Sequence, residues 1–376
     1  MKNQVVGVEI GSGAVRIVTA IPDRFPIVTG VHHLPFHGLR HGALEEQQVL
    51  VATLLKDFVK QHDLVGLPTV FSVPSEFASL YWTKLPKVRR EELAELAIYK
   101  LKDQLVGDSS DLSVGVVPVS VDEHDNYESL VISIPKGLVR ERADAIIESG
   151  LVPAGCELEA QSLLRLMQHD LESMSSLARQ MSMTLVDIGL ERTRFLVMQN
   201  LRLQFVRGIR FGARRVLEAI AEQGGFSEVE AAEILDSGKA KLTLTAQLEV
   251  EHNGNHVTYD LKEPMESLIR ELQRLSSYFR TLKSDRSYSG ILERLVLAGE
   301  LVSVEGFAEF IGKMMHTRIQ LINPFDAARL EIDIDQLDSV SKTPHRFAVA
   351  TGLALSPYTL EKENSHGRRA TDAIAA

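Results

Sequence analysis

The sequence predicts an α/β protein made of two related lobes. Three observations carry that prediction. The order strand, glycine turn, strand, strand, helix occurs twice, once around Val6 and again around Leu185. The length of 376 residues exceeds what one hydrophobic core usually fills. The composition, 44% hydrophobic and 24% charged, is that of a globular chain rather than a disordered one.

The first lobe opens with a β-branched run, Val5 to Glu9, a Gly11-Ser12-Gly13 turn, and a second run, Val15 to Ala20. Two such runs split by a Gly/Ser turn predict a hairpin. Ile27 to Val31 predicts a third strand. Val49, Ala52, Leu55, Phe58 and Val59 recur at helical spacing, which predicts a helix over 45–61. Residues 69–73 form a compact apolar strand ended by Pro74, and 79–85 another closed by Pro86. Residues 89–105 predict a charged amphipathic helix. Residues 112–121 and 129–134 predict strands flanking a polar turn. Residues 138–150 predict a helix stopped by Gly150, and 158–171 a second helix.

The second lobe repeats the opening. Residues 184–188 predict a strand, Gly189-Leu190-Glu191-Arg192 a turn, and 193–199 and 203–209 two more strands, before a helix over 214–223. Residues 227–239 read as helix, and 242–260 alternate as a hairpin around Asn253-Gly254-Asn255. Met265, Leu268, Ile269, Leu272, Leu275 and Phe279 mark one side of a strong helix over 264–282. A strand at 295–298, a helix at 304–315, a short strand at 319–322 and a closing helix at 347–355 complete the core. The polar tail from Pro357 to Ala376 is expected to be disordered.

Charge and cysteine content exclude several classes. The 41 basic and 51 acidic residues leave a net charge of −10, which argues against a general nucleic-acid binder. Cys156 is the single cysteine, so neither an intramolecular disulfide nor a cysteine-based zinc site is available. The opening MKNQVVGVEIG lacks the apolar core of a signal peptide. The apolar runs are far shorter than the roughly 20 residues of a membrane helix. A soluble, cytoplasmic protein is expected, with any membrane role supplied by a partner. His32, His33, His37 and His41 cluster, but Pro35, Gly38 and Gly42 among them disfavour the helix that would align them on a metal. Lys84, Lys87, Arg89 and Arg90, and Arg207, Arg210, Arg214 and Arg215, form two basic groups, read as solvated faces.

The two acidic turns matter most for chemistry. A hairpin loop rich in Gly and Ser lets backbone N–H groups approach phosphate oxygens, because no Cβ intervenes. A carboxylate at the strand end can hold Mg²⁺. Glu9 and Asp187 occupy that place in the two lobes. The strand Leu295–Ala298 leads into a small-residue turn that could lie against a base and ribose.

Together these motifs resemble the actin, sugar-kinase and heat-shock-chaperone ATPase superfamily. Within it the sequence resembles the PilM family, cytoplasmic actin-like proteins of type IV pilus assembly, and more distantly FtsA. The resemblance rests on Gly7 to Arg16, Leu185 to Gly189 with Thr193, Arg207 to Gly212, Val296 to Gly299, Ile322 to Phe325 and Ala348 to Leu355. Ser149 to Pro153 followed by Glu157 to Ala160 resembles the family's connection between lobes.

The resemblance implies an actin-like ATPase fold with an inserted FtsA-type small subdomain. It divides the chain into a first lobe, 1–182, with the insertion at about 74–128; a second lobe, 183–344, with a small subdomain at about 227–290; and a closing helix, 345–356, returning to the first lobe. It implies ATP and Mg²⁺ between the lobes. Glu9, Gly11, Ser12, Gly13 and Arg16 would serve the first phosphate loop, Asp187, Gly189 and Thr193 the second, and Ala298 with Gly299 the adenosine turn. Glu9 and Asp187 would face the Mg²⁺, and Asp187 would be the catalytic carboxylate of an ATPase.

The departures from the family pattern bear on that implication. Glu9 stands where the family usually has Asp, which moves the carboxylate out by about 1.5 Å, against the near-ideal geometry Mg²⁺ demands. Leu190 replaces a small residue, Glu300 a glycine, and Glu191 and Arg192 add bulk. Weakened ATP binding is therefore expected.

The leading functional expectation is a scaffold that binds the short N-terminal cytoplasmic tail of a PilN-like bitopic membrane protein. An extended peptide is gripped by strand edges and apolar slots. Val73, Phe77, Leu80 and Trp82 are the candidate contacts, with core packing as their alternative. Self-association is left open. The competing expectations are a nucleotide-dependent phosphotransferase or ATPase, and an FtsA-like filament former. The tail Glu361–Ala376 makes a poor membrane anchor, which weighs against the last.

Overall fold

A computed structural model describes residues 4–22, 26–36, 44–105, 108–172, 182–199, 202–252, 255–282, 294–326, 330–332 and 341–356. The expected disordered tail at 357–376, His37 and His41 lie outside these residues.

The chain opens with β1 (Val5–Ile10), β2 (Ala14–Ile21), β3 (Ile27–Pro35), α1 (Leu44–Gln61) and β4 (Pro68–Val73). A single 3₁₀ turn, Ser75–Phe77, leads into β5 (Ser79–Pro86), α2 (Arg90–Leu101), β6 (Leu112–Val121) and β7 (Asn126–Pro135). Then come α3 (Lys136–Glu148), β8 (Val152–Leu158) and α4 (Glu159–Glu172). The second half runs β9 (Ser182–Ile188), β10 (Thr193–Gln199), β11 (Arg202–Ile209), α5 (Arg214–Gly224), α6 (Glu228–Asp236), β12 (Ala240–Leu242), β13 (Gln247–His252) and β14 (Asn255–Asp260). It ends with α7 (Lys262–Leu282), β15 (Arg294–Gly299), α8 (Phe307–Met315), β16 (Arg318–Leu321), β17 (Glu331–Ile332) and α9 (Ala348–Ala354).

The repetition seen in the sequence is a repetition of topology. One sheet runs β17-β3-β2-β1-β4-β8 and another runs β11-β10-β9-β15-β16. In each, a three-strand antiparallel meander continues into two parallel strands. Parallel central strands are covered on both faces, which is why all six residues of β1 are buried. Val6, Val8 and Ile10 face α1 and α3, packing with Leu55, Phe58 and Ile146. Val5 faces the other way, into a cluster with Phe347, Ala350 and Ala354 at α9. Gly7 shares that face, and a Cβ on it would lie 2.3 Å from the Ala350 carbonyl oxygen, so its smallness lets α9 settle on the sheet.

Two smaller sheets, β5-β7-β6 and β12-β13-β14, flank the large ones. The first carries α2 on one face, through Leu85, Leu93, Ala97 and Val131. Its other face contributes Leu130, Ile132 and Ile134 to a cluster that also contains Leu185, Leu196, Leu203 and Val296 of the second large sheet. The two halves therefore meet in a shared apolar cluster.

Several features differ from the sequence expectation. β8 was legible only as a connection, because Pro153 and Gly155 have poor strand preference; pairing with β4 overrides that. The helix expected from 304 begins at Phe307, since Gly306 adopts φ 81° and stops any earlier start. His32 and His33 are consecutive in β3 and so point to opposite faces. His32 packs against Phe58 and His62. Among the described residues no helix is long and apolar enough to cross a membrane, and no group of His, Cys, Asp and Glu is arranged to hold a metal ion.

Candidate functional site

The site lies where the two large sheets face each other, at the ends of the first hairpin of each. Strand register places an acid directly opposite an arginine in both: Glu9 pairs with Arg16, and Asp187 with Arg194. Directly opposed residues of an antiparallel pair share a face, so each arginine extends beside its own carboxylate. Arg16 Nη1 lies 3.5 Å from Glu9, and Arg194 donates to Asp187.

Both arginines then cross the cleft, in opposite directions. Arg16 reaches Glu300, at the end of β15. Arg194 forks onto Glu159 at the start of α4, with Nε 2.5 Å from Oε2, and comes within 4.0 Å of Glu9. Arg346 closes the far side, 2.6 Å from Glu300 and donating at 2.7 Å to Asp236. Almost all of these groups are buried: Glu9, Arg16, Glu159 and Asp187 are each less than one-tenth exposed.

Burial and pairing set the charges. Burial pushes the Glu9 carboxyl up to about 7, against the pull of Arg16 and Arg194. Burial also works on Glu300, but Arg16 and Arg346 outweigh it and hold that carboxyl below its usual range. Desolvation disfavours the charged Arg194, yet Glu159, Asp187 and Glu9 more than compensate and raise it well above the usual guanidinium value.

The predicted nucleotide loops meet across this cluster. The Gly11 N–H donates to the Ala14 carbonyl and the Gly189 N–H to the Arg192 carbonyl, both at 2.9 Å. These two N–H groups are thus closed on their own turns. Ser12 stays at the exposed tip. The Leu190 side chain lies over Gly13 so closely that a Cβ there would come within 2.1 Å of Leu190 Cδ2. Thr193 is fully buried, its hydroxyl donating to the Phe211 carbonyl at 2.9 Å. Ala298 is a core residue, and Gly299 takes φ 101° with the Ile188 carbonyl where a Cβ would be. Its φ and its packing against β9 each require glycine.

The residues present do not fit a Mg-nucleotide. Leu190 packs onto Gly13 between the loops, and both strand-end carboxylates already have guanidinium neighbours. A polyphosphate would add negative charge beside Glu300, whose two arginines it would have to displace. An arginine seven positions after the acid in both hairpins (9 to 16, 187 to 194) is the sequence signal that marks this arrangement. Glu159, Asp236 and Arg346 carry no local signal.

The candidate partner contacts separate. Val73 is 2% exposed and belongs to the shared core. Leu80 and Trp82 are half-buried against that core, and the Trp82 indole N–H donates to the Leu203 carbonyl at 2.9 Å. Phe77 is 51% exposed. Nearby, Arg142 on α3 has a buried Nε with no partner. Burial lowers its proton affinity, with Glu141, Glu159 and Glu76 pulling the other way. In the first basic group Lys84 pairs with Asp122 (3.0 Å), Lys87 with Asp125 (3.1 Å) and Arg89 with Glu92; in the second, Arg214 pairs with Glu191 and Glu228.

Two hairpin-led sheets facing one another across a cleft, each continued by parallel strands, define the actin-like ATPase fold. A chain in a solved PilM-PilN type IV pilus biogenesis complex superposes with a TM-score of 0.71 at 19% identity, covering 93% of this chain and 97% of that one. MreB5 of Spiroplasma citri, solved with ADP, has a TM-score of 0.50 at 10% identity, covering 97% and 99%. These likenesses are of fold. No curated protein matches the sequence. The family described as type IV pilus assembly protein PilM matches over residues 7–358. The chain belongs to that family.

Proposed function

We propose that the protein is a cytoplasmic scaffold of a type IV pilus or related secretion machine, one that binds the N-terminal tail of a PilN-like inner-membrane protein without needing nucleotide. The carrying observation is that the cleft is filled by the protein's own side chains, while family membership points to pilus assembly. A fold that keeps its cleft closed by internal ion pairs suits a binding platform better than a cycling ATPase.

The tail would dock on the first lobe, taken as 1–182 with its insertion at about 74–128. Phe77 is the exposed apolar contact there, and Arg142, whose buried Nε lacks a partner, would supply a donor for a carbonyl or carboxylate of the incoming chain. The membrane is then reached only through the partner. The test is fluorescence anisotropy with a labelled synthetic tail, comparing wild type, Phe77→Ser and Arg142→Gln, each with and without Mg-ATP. The expected result is weaker binding by at least about tenfold in Phe77→Ser, and no effect of Mg-ATP. Unchanged affinity in both variants refutes the docking site. Micromolar ATP binding with hydrolysis, seen by calorimetry, refutes the nucleotide-free reading.

A further inference from the structure

We propose that the open edge of β6 pairs with the same edge of a second copy of this chain, as an antiparallel two-fold dimer. This does not depend on where a partner tail docks, nor on nucleotide.

β6 is the last strand of the inserted sheet, β5-β7-β6, so a strand lies on only one of its sides. An edge strand offers its free N–H and C=O groups to any chain able to extend the ladder, and proteins commonly guard such edges with charge. Each of the other described edge strands carries a charged residue, such as Lys84 on β5, Glu157 on β8 and Arg207 on β11. β6 carries none: its ten residues, LSVGVVPVSV, are uncharged and five of them are Val. Its guards sit at one end only. Pro118 and the irregularity between Pro118 and Ser120 interrupt the second half of the edge. The stretch from Leu112 to Val117 has neither.

Register tells which backbone groups face outward. Pro118 has no N–H, so its nitrogen takes the open side, where no bond to β7 is lost. Leu112 agrees, because its N–H turns back to the Ser109 carbonyl, and the residue opposite it on β7 is Pro135. The two-residue period then turns the N–H and C=O of Val114 and Val116 outward as well. With a two-fold axis at Val114, that residue meets its own copy and Leu112 meets Val116. About four hydrogen bonds form between the chains, since the Leu112 N–H is already spent.

This register is what selects a second copy as the occupant. Leu112, Val114 and Val116 belong to the apolar cluster beneath α2, with Leu85, Leu93 and Val131. Pairing joins that cluster to its copy across the axis. On the other face Gly115 falls opposite Ser113, and a Cβ on Gly115 would meet nothing within 4 Å. Charge is compatible: Asp111 falls opposite the uncharged Val117, while Asp122 and Asp125 beyond the far end are already matched by Lys84 and Lys87. Six paired residues on each side bury less than the roughly 1,200 Å² of a standard interface, so a weak dimer is expected, with a dissociation constant of roughly 10–100 μM.

The test is sedimentation velocity of the full chain up to about 200 μM, above the expected dissociation constant. It compares wild type, Gly115→Lys and Val121→Lys, with tail binding measured alongside. The first substitution puts a charge at an open position inside the pair, and the second puts the same charge at an exposed position beyond it. Expected is a concentration-dependent dimer in wild type, weakened at least about tenfold by Gly115→Lys and less than about twofold by Val121→Lys, with tail affinity the same in all three. A wild type that stays monomeric overturns the proposal. So does a dimer that ignores Gly115→Lys, or one lost equally in Val121→Lys. A monomeric wild type whose tail binding disappears in Gly115→Lys overturns it in favour of an extended peptide at this edge. A double variant, Ser113→Cys with Gly115→Cys, checks the register without the lysine. Mild oxidation should link two chains through these directly opposed positions, and Val121→Cys should not link them. Failure of the double variant to cross-link refutes the pairing.

Discussion

Trp82 offers the sharpest test of how the inserted sheet is held. Its indole N–H crosses from β5 to the Leu203 carbonyl at the start of β11. The substitution Trp82→Phe keeps an aromatic ring and removes that donor. The loss has two parts: the net worth of one hydrogen bond, about 1 kcal/mol, and the cost of leaving the Leu203 oxygen without a donor if water does not replace it, for a total of about 1–3 kcal/mol. Unfolding entropy of about 2.1 cal/mol/K per residue over this length makes the melting temperature fall by about 1–4 °C, if the halves melt as one unit. The shared apolar core supports that condition. Trp82 is the single tryptophan, so wild-type emission reports this contact alone. Calorimetry of both proteins, with tail affinity measured alongside, decides the role. A lowered melting temperature with tail affinity kept within about twofold marks a structural latch. An unchanged melting temperature with lost tail binding refutes the reasoning and returns Trp82 to the partner site.

Further outcomes follow from the same contacts. The Glu9 carboxyl, raised from about 4.5 to about 7 by burial, keeps its proton in the folded state after the unfolded chain has lost it. Stability should therefore fall as pH rises between those values, by up to about 3 kcal/mol, and Glu9→Gln should flatten that slope in urea denaturation at pH 5 and pH 8. Gly7→Ala places a Cβ 2.3 Å from a backbone oxygen of α9, so a loss of about 1–3 kcal/mol is expected; a loss under about 0.5 kcal/mol would mean α9 does not pack as described. The Cys156 thiol is pushed up to about 12, chiefly by burial and then by the neighbouring Glu157. Its reaction with a disulfide reagent at pH 8 should be at least about 100-fold slower in native protein than in unfolded protein.

Much of the fold was legible because its signals are local. Two β-branched runs around a Gly/Ser turn make a hairpin wherever they occur, and seeing that unit twice implied the paired sheets. β8 escaped because Pro153 and Gly155 disguise it; only the neighbouring β4 makes that segment a strand. Of the candidate site, Glu9 and Asp187 could be placed at strand ends from sequence, and so could the glycines of both turns.

The partners of those carboxylates divide along the same line. Arg16 opposite Glu9 and Arg194 opposite Asp187 follow from hairpin register, a matter of counting along a short loop. Glu159, Glu300 and Arg346 follow from how two sheets distant in sequence come to face each other, and no spacing encodes that. The residue changes at Glu9, Leu190 and Glu300 made ATP binding doubtful on size and charge. Tertiary structure decided what crosses the space: buried carboxylates in a low-dielectric cleft require counter-charges, and the arginines of the two hairpins, together with Arg346, supply them.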